Sequence, residues 1–200
     1  MTPTGQDAIQ AAAAFEPREK DFLHFFQQLE KEFPREMSRG ALETAILRTQ
    51  AISKFPQAEK MYFTREALEQ ASSFEVASHR AERFQGYAHI VDLGCSIGGD
   101  TLALAAAAHT IGIDRDPLRL AMAKENARVV GLAADFIQNN LLSAFPCFWP
   151  SPSTALFFDP ARRAGGRRIF SVEGYHPPLS TVEKWLPDFP DMGVKLSPAV

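Results

Sequence analysis

The chain holds little of what marks a secreted, membrane-bound or bulk-charged protein. Only two cysteines, Cys95 and Cys147, occur in 200 residues. They sit in unrelated contexts without a C-x-x-C or Cys/His spacing, so neither a disulfide framework nor a zinc site is expected. A reducing cytoplasm fits that usage. Charge of one sign is also scarce: 21 Lys and Arg against 24 Asp and Glu leave a net charge of -3. That excludes a protein that coats nucleic acid through bulk charge and leaves room only for a local basic patch. The N-terminus, MTPTGQDAIQAAAAFEPREK, lacks the basic start and apolar core of a signal peptide, and no apolar run reaches the roughly 18 residues of a membrane span. No internal repeat is visible. What is present, 46% hydrophobic residues, suffices for one good core and a modest extension.

The order of patterns along the chain is that of a helical region followed by an α/β core. From Asp21 to Phe33 the residues Phe22, Leu23, Phe25, Phe26, Leu29 and Phe33 recur at helical spacing, and Pro34 stops the run. Leu42, Ala45, Ile46 and Ile52 mark a second helix, closed by Phe55-Pro56. FTREALEQASSFEVASHRAERF predicts two more, the second opened by a Ser72-x-x-Glu75 capping box. Residues 1–85 are therefore expected to be a helical N-terminal region. After Gly86, the short apolar runs AHIVD, TIGID, ADFIQ, TALFFD and GVKL mostly alternate with helical or loop segments, so residues 86–200 are expected to form an α/β core. Asp116-Pro117 predicts a capped helix start and Ser180-x-x-Glu183 another. Nine of the fourteen prolines lie from Pro146 to Pro198, predicting long irregular connections there.

The stretch HIVDLGCSIGGD runs from an apolar strand through a carboxylate into glycines and then a helix, a geometry that brings backbone amides close to a ligand. Two well-known loops are excluded. A dinucleotide loop, G-x-G-x-x-G, needs glycine where this chain has Ser96. A phosphate-cradling P-loop ends in Gly-Lys-Ser/Thr, but here Asp100 and Thr101 follow the glycines. What remains is D-x-G-x-S-x-G from Asp92 to Gly98, with Asp114 at the end of the next strand, placed to accept both hydroxyls of a ribose. Further on, Asp159 ends the apolar run TALFF, a costly place for a carboxylate unless it is paired or faces a cleft.

These residues resemble the class I S-adenosylmethionine-dependent methyltransferases, whose first motif is close to D/E-x-G-x-G-x-G. AADFIQNN is similar to the family's third strand, and LFFDPAR to its fourth-strand motif. The resemblance implies a Rossmann-like sheet and S-adenosyl-L-methionine as cofactor. It implies that Asp92, Gly94, Ser96 and Gly98 hold the methionine end, Asp114 with Arg115 the ribose and Asn140 the adenine, while Asp159 and Pro160 face the acceptor. FTREALEQAS, DLGCSIGGD, DRDPLRLAMA, FFDPARRAGGRR, Y-x-P-P-L-S and V-K-L-S-P together resemble a bacterial methyltransferase group with a THUMP-like region. The segment at Phe63-Thr64 is similar to trimethylguanosine synthases, which implies that Thr64 closes over the cofactor. The family's sheet has seven strands and this chain ends just past the fifth, so a C-terminally truncated member is expected.

Methyl transfer from a sulfonium is an in-line displacement, so the site chiefly positions the acceptor and takes its proton. Asp159 and the Pro160 carbonyl suit an acceptor N–H or O–H. The family's adenine-N6 enzymes follow this pair with proline and an aromatic, whereas Ala161 and Arg162 follow here, so that acceptor is not expected. Arg162, Arg163, Arg167 and Arg168 place four guanidinium groups within seven residues. They suit a phosphate backbone, which makes RNA the expected substrate and partner, although a solvated loop has the same composition. A non-catalytic cofactor- and RNA-binding module, or a methyltransferase of a small anionic substrate, stays open. Cys147 resembles the Pro-Cys nucleophile of cytosine-C5 enzymes but falls between the third and fourth strands, so a structural role is expected. Cys95 is expected to pack. The loop Tyr175 to Pro178 is expected to flank the acceptor, with no catalytic role for His176.

Overall fold

The structure, a computed structural model, describes residues 3–143, 151–161, 163–164, 167–168, 171–189 and 191–196. Two compact units result, Met1–Gln70 and Ala71–Val200.

The first unit is helical: α1 (Pro3–Ala13), α2 (Phe22–Leu29), α3 (Arg35–Ala51) and α4 (Arg65–Gln70). The alanine-rich α1 was not signalled by apolar periodicity; high helix propensity and burial of Ala8, Ile9 and Ala12 account for it. The helix foreseen to Phe33 ends at Leu29, and Pro34 serves instead as the cap of α3. Phe26, Leu42, Ile46, Leu47 and Phe55 are buried in this unit. Arg48 lies 4.8 Å over the Tyr62 ring and donates from Nε to the Met61 carbonyl. Lys54 Nζ donates to the Leu68 carbonyl at 2.7 Å, closing the end of α4.

The second unit begins with α5 (Phe74–Ala81). Its cap is Ser73, whose hydroxyl accepts from the Val76 amide, and not Ser72 as the capping-box spacing suggests. Ser72 Oγ instead accepts a bond from Arg80, a tertiary contact that overrides the local pattern. Then follow β1 (His89–Leu93), α6 (Gly99–Ala105), β2 (His109–Asp114), α7 (Pro117–Val130), β3 (Ala134–Gln138) and β4 (Thr154–Phe158). A two-stranded antiparallel hairpin, β5 (Arg163–Ala164) with β6 (Arg167–Arg168), precedes β7 (Met192–Val194). The helix foreseen at Ser180 is a 3-10 segment, Leu179–Lys184. Ser180 does not cap it; its amide donates to Glu173 Oε1.

Five strands form one parallel sheet in the order β3-β2-β1-β4-β7. This is a Rossmann-like α/β sheet. Strand order reverses between β1 and β4, so the crevice for a ligand lies beyond the carboxyl ends of those two strands. Period-two alternation divides the core. Ile90, Ala155 and Phe157 face α5 and α6 beside Ala77, Ala81, Ala103 and Leu104. Val91, Leu93, Leu156 and Phe158 face the other way, against Ile113, Trp185 and Phe189. By the same alternation Asp92, one position beyond Val91, points with Ile90 toward α6. The α7 cap is as its sequence indicates: Asp116 Oδ1 accepts from the Leu118 and Arg119 amides, with Pro117 next and Gly131 closing the helix at φ 75°. No helix among the described residues is long and apolar enough to cross a membrane.

Candidate functional site

The loop after β1 is a run of left-handed residues. Gly94, Ser96 and Gly98 have φ of 87°, 51° and 84°. Glycine reaches this region without cost, and a serine there carries strain. The family's preference for glycine where this chain has Ser96 thus has a backbone cause, and Ser96 adopts the left-handed conformation although it departs from that glycine. Its amide donates to Asp114 Oδ2 at 2.8 Å, which fixes the strained turn. At Gly98 a side chain would meet the Ala123 Cβ at 3.2 Å, so the absence of a Cβ also lets the loop lie against α7. From α7 the buried Asn126 donates its amide to the Ile97 carbonyl at 3.0 Å, holding the loop from behind. Asn126 belongs to no motif, and its one signal is that of an isolated polar residue on the inner face of a helix.

Asp114, at the end of β2, is half-buried. Its second oxygen, Oδ1, accepts from the Asp116 amide at 2.9 Å. A carboxylate has about four acceptor directions, so two backbone bonds leave it capacity for a diol. Arg115 beside it is exposed. The adjoining end of β3 is tied in by the Asn139 amide, which donates to the Asp114 carbonyl at 3.0 Å. Asn140 is exposed, with its Oδ1 accepting from the Leu142 amide. The ends of β1, β2 and β3 thus bring Gly94, Ser96, Asp114 and the Asn139-Asn140 turn to one edge of the sheet.

Asp92 behaves differently from its neighbours. It is 1% exposed and accepts from Thr101 Oγ1 at 2.5 Å. Burial pushes its carboxyl up to about 8, the negative charges of Asp100, Asp159 and Asp114 act the same way, and the Thr101 bond opposes them. At neutral pH the group is therefore mostly protonated. Through Thr101 it ties the end of β1 to the first turn of α6. Cys95 is buried and free, and burial together with the Asp92 and Asp114 charges raises its thiol well above the ordinary value, so it packs and does not act as a nucleophile.

At the end of β4 the same edge carries Asp159, close enough to the loop that a Cβ on Gly94 would lie 3.7 Å from the Asp159 carbonyl oxygen. Pro160 is buried beside it. Asp159 forms an ion pair with Lys195, the residue after β7. The Lys195 amide donates to the Phe158 carbonyl at 2.9 Å, so β7 carries Lys195 to the level of Asp159. Lys195 belonged to no sequence motif assigned a role. A second pair, Arg80 with Asp100, stands nearby, and Arg80 also lies 5.4 Å over the Phe157 ring. Burial raises the Asp100 carboxyl, countered first by Lys195 and then by Arg80. Ala161 and His176 exchange both backbone bonds at 3.0 Å, which sets the Tyr175-His176 loop beside the Asp159-Pro160 turn. Tyr175 is fully buried and its hydroxyl has no partner among the described residues.

Thr64 belongs to the first unit, where its hydroxyl accepts from the Ala67 amide and starts α4. Arg163, Arg167 and Arg168 sit on the β5–β6 hairpin by their backbones. Arg162 and Cys147 lie outside the described residues. Among those residues no group of three or more His, Cys, Asp or Glu is arranged to hold a metal ion.

No family model matches the chain. Two curated proteins of Mycobacterium tuberculosis, from strains CDC 1551 and H37Rv, are each 37% identical to it over 145 residues, 69% of this chain and 39% of theirs. Both are named S-adenosylmethionine-dependent methyltransferases. The chain thus spans about two fifths of the length of these relatives. Among solved structures, a protein of Porphyromonas gingivalis W83 described as a candidate methyltransferase superposes with a TM-score of 0.71 at 22% identity, over 92% of this chain and 50% of that one. With the strand order and the loop geometry, this places the chain in the Rossmann-like fold of the class I methyltransferases.

Proposed function

We propose that the chain binds S-adenosyl-L-methionine and forms the cofactor-binding core of a methyltransferase that acts on RNA. One observation carries the cofactor reading: the left-handed loop from Gly94 to Gly98 is bonded through Ser96 to Asp114, a carboxylate with acceptor capacity left for two ribose hydroxyls. The names of the mycobacterial relatives support it. In this reading Gly94, Ser96 and Gly98 line the methionine end, with Asp92 as their support. Asp114 and Arg115 take the ribose, and Asn140 the adenine.

The cofactor, when bound, supplies an electrophilic methyl group. The chain supplies position and a proton acceptor. Asp159 and the Pro160 carbonyl orient the acceptor's N–H or O–H at the strand ends, and the Asp159 carboxylate receives hydrogen bonds or the proton there. Arg162, Arg163, Arg167 and Arg168 contact RNA phosphates, and the reaction runs in the cytoplasm. The reading is tested by incubating the protein with methyl-labelled cofactor and total RNA, and by measuring RNA binding against salt. Label in RNA is expected. The double variant Arg167→Ala, Arg168→Ala is expected to bind RNA more weakly and to lower the log–log salt slope by about 1–2. RNA binding unchanged by the double variant, or no labelled RNA, contradicts the RNA assignment.

A further inference from the structure

Asp159 and Lys195 end adjacent parallel strands, and both are largely shielded, with side chains 22% and 16% exposed. The pair closes a run of charge along this edge. Asp92, Asp100, Asp114 and Asp159 supply four carboxyl groups; among the described residues Arg80 pairs with Asp100 and Lys195 with Asp159. Arg80 is committed to Asp100, Ser72 and the Phe157 ring. Lys195 therefore decides how much of the negative charge at the end of β4 is left for a ligand. Its stem is unbranched and flexible, so the ammonium is a movable point charge, unlike the backbone amides that hold Asp114.

We propose that Lys195 is the positioning and charge-setting residue of the site: its ammonium clamps the Asp159 carboxylate and offsets its charge, so the Lys195–Asp159 pair sets the preference for a cationic sulfonium over the neutral thioether that methyl transfer leaves. This rests on the cofactor reading above. In the intact pair the two charges nearly cancel, and the sulfonium and thioether forms are bound with a modest ratio of affinities. Removing the ammonium exposes the carboxylate to the sulfonium. Removing the carboxylate exposes the ammonium.

The test is calorimetric titration of wild type, Lys195→Met, Lys195→Arg and Asp159→Asn with S-adenosyl-L-methionine and with S-adenosyl-L-homocysteine. The readout is the ratio of the two Kd values, which a general loss of packing lowers or raises for both ligands alike. Lys195→Met is expected to shift the ratio about three- to tenfold toward the sulfonium, and Asp159→Asn about as far toward the thioether. Lys195→Arg keeps the charge and is expected to stay near wild type. Should Lys195→Met fail to fold, the opposite shift in Asp159→Asn still decides the matter. If both ligands bind and the ratio is unmoved in the variants, the role of Lys195 is overturned while the cofactor reading stands. If neither ligand binds wild type, the cofactor reading itself falls.

Discussion

The two ends of the site are built on different principles. At the β1–β2 end a carboxylate, Asp114, is held by backbone amides from Ser96 and Asp116, and the loop it anchors is pinned by Asn126 and the close approach of Gly98 to α7. At the β4–β7 end the carboxylate, Asp159, is held by one flexible side chain, Lys195. Backbone amides cannot leave without unfolding the turn, whereas an ammonium can swing away. The first end is suited to a ligand of fixed shape, the second to one that arrives and departs.

The contrast is sharpest at Asp92, which lies beneath the rigid end. Its carboxyl is pushed up to about 8 in the folded chain, above the ordinary 3.8 that applies when unfolded. The folded state therefore holds more protons between those values, and stability falls as pH rises from about 4 to 8. The stabilisation from the protonated group is complete below about 4 and lost above about 8. Asp92→Asn, which stays neutral, is expected to flatten that part of the profile by several kcal/mol in urea unfolding, and to be at least as stable as wild type at pH 8 to 9. A variant with the wild-type slope breaks the account of Asp92.

Next in size is Gly98→Val. A side chain at φ 84° is strained and meets Ala123 at 3.2 Å, so a loss of about 2–4 kcal/mol is expected in denaturant unfolding. Lys195→Met at the other end is expected to cost less, about 1–2 kcal/mol. If the order of those two reversed, the division into a rigid and a movable end would not hold. Asn126→Ala leaves the Ile97 carbonyl without its side-chain donor, and a loss of about 1–3 kcal/mol is expected, read as a fall in Tm. The smallest effect is that of Ser96→Gly. Relief of the left-handed strain, partly offset by the greater entropy of an unfolded glycine, is expected to stabilise by about 0.5 kcal/mol, a rise of one to three degrees by calorimetry.

The same contrast explains what could be read from the sequence. The rigid end is local: Asp92, Gly94, Gly98 and Asp114 fall within 23 residues joined by one βαβ crossover, and turn chemistry and strand ends identify them directly. The five sheet strands and the Asp116-Pro117 cap were legible for the same reason. The movable end was not. Asp159 could be read as a strand end, but its partner lies 36 residues away across the proline-rich connections, and only the β4–β7 register joins them. Asn126, 29 residues from Ile97, was hidden likewise. The α5 cap shifted from Ser72 to Ser73 because Arg80 claimed the first hydroxyl, a contact that a local rule does not contain. Helical periodicity found α2 and α3 but passed over α1, whose alanines bury a face without the large apolar side chains that make a pattern.

The central claim is that the Ser96–Asp114 turn is a cofactor site, and titration calorimetry with S-adenosyl-L-methionine on wild type and Asp114→Ala tests it most directly. Losing hydrogen bonds from two ribose hydroxyls to a carboxylate is expected to weaken binding by about a hundredfold while the variant's circular dichroism stays that of a folded chain. Saturable binding by wild type with that loss in the variant is the predicted result. Equal affinity in the two folded proteins, or no binding by wild type, would contradict it.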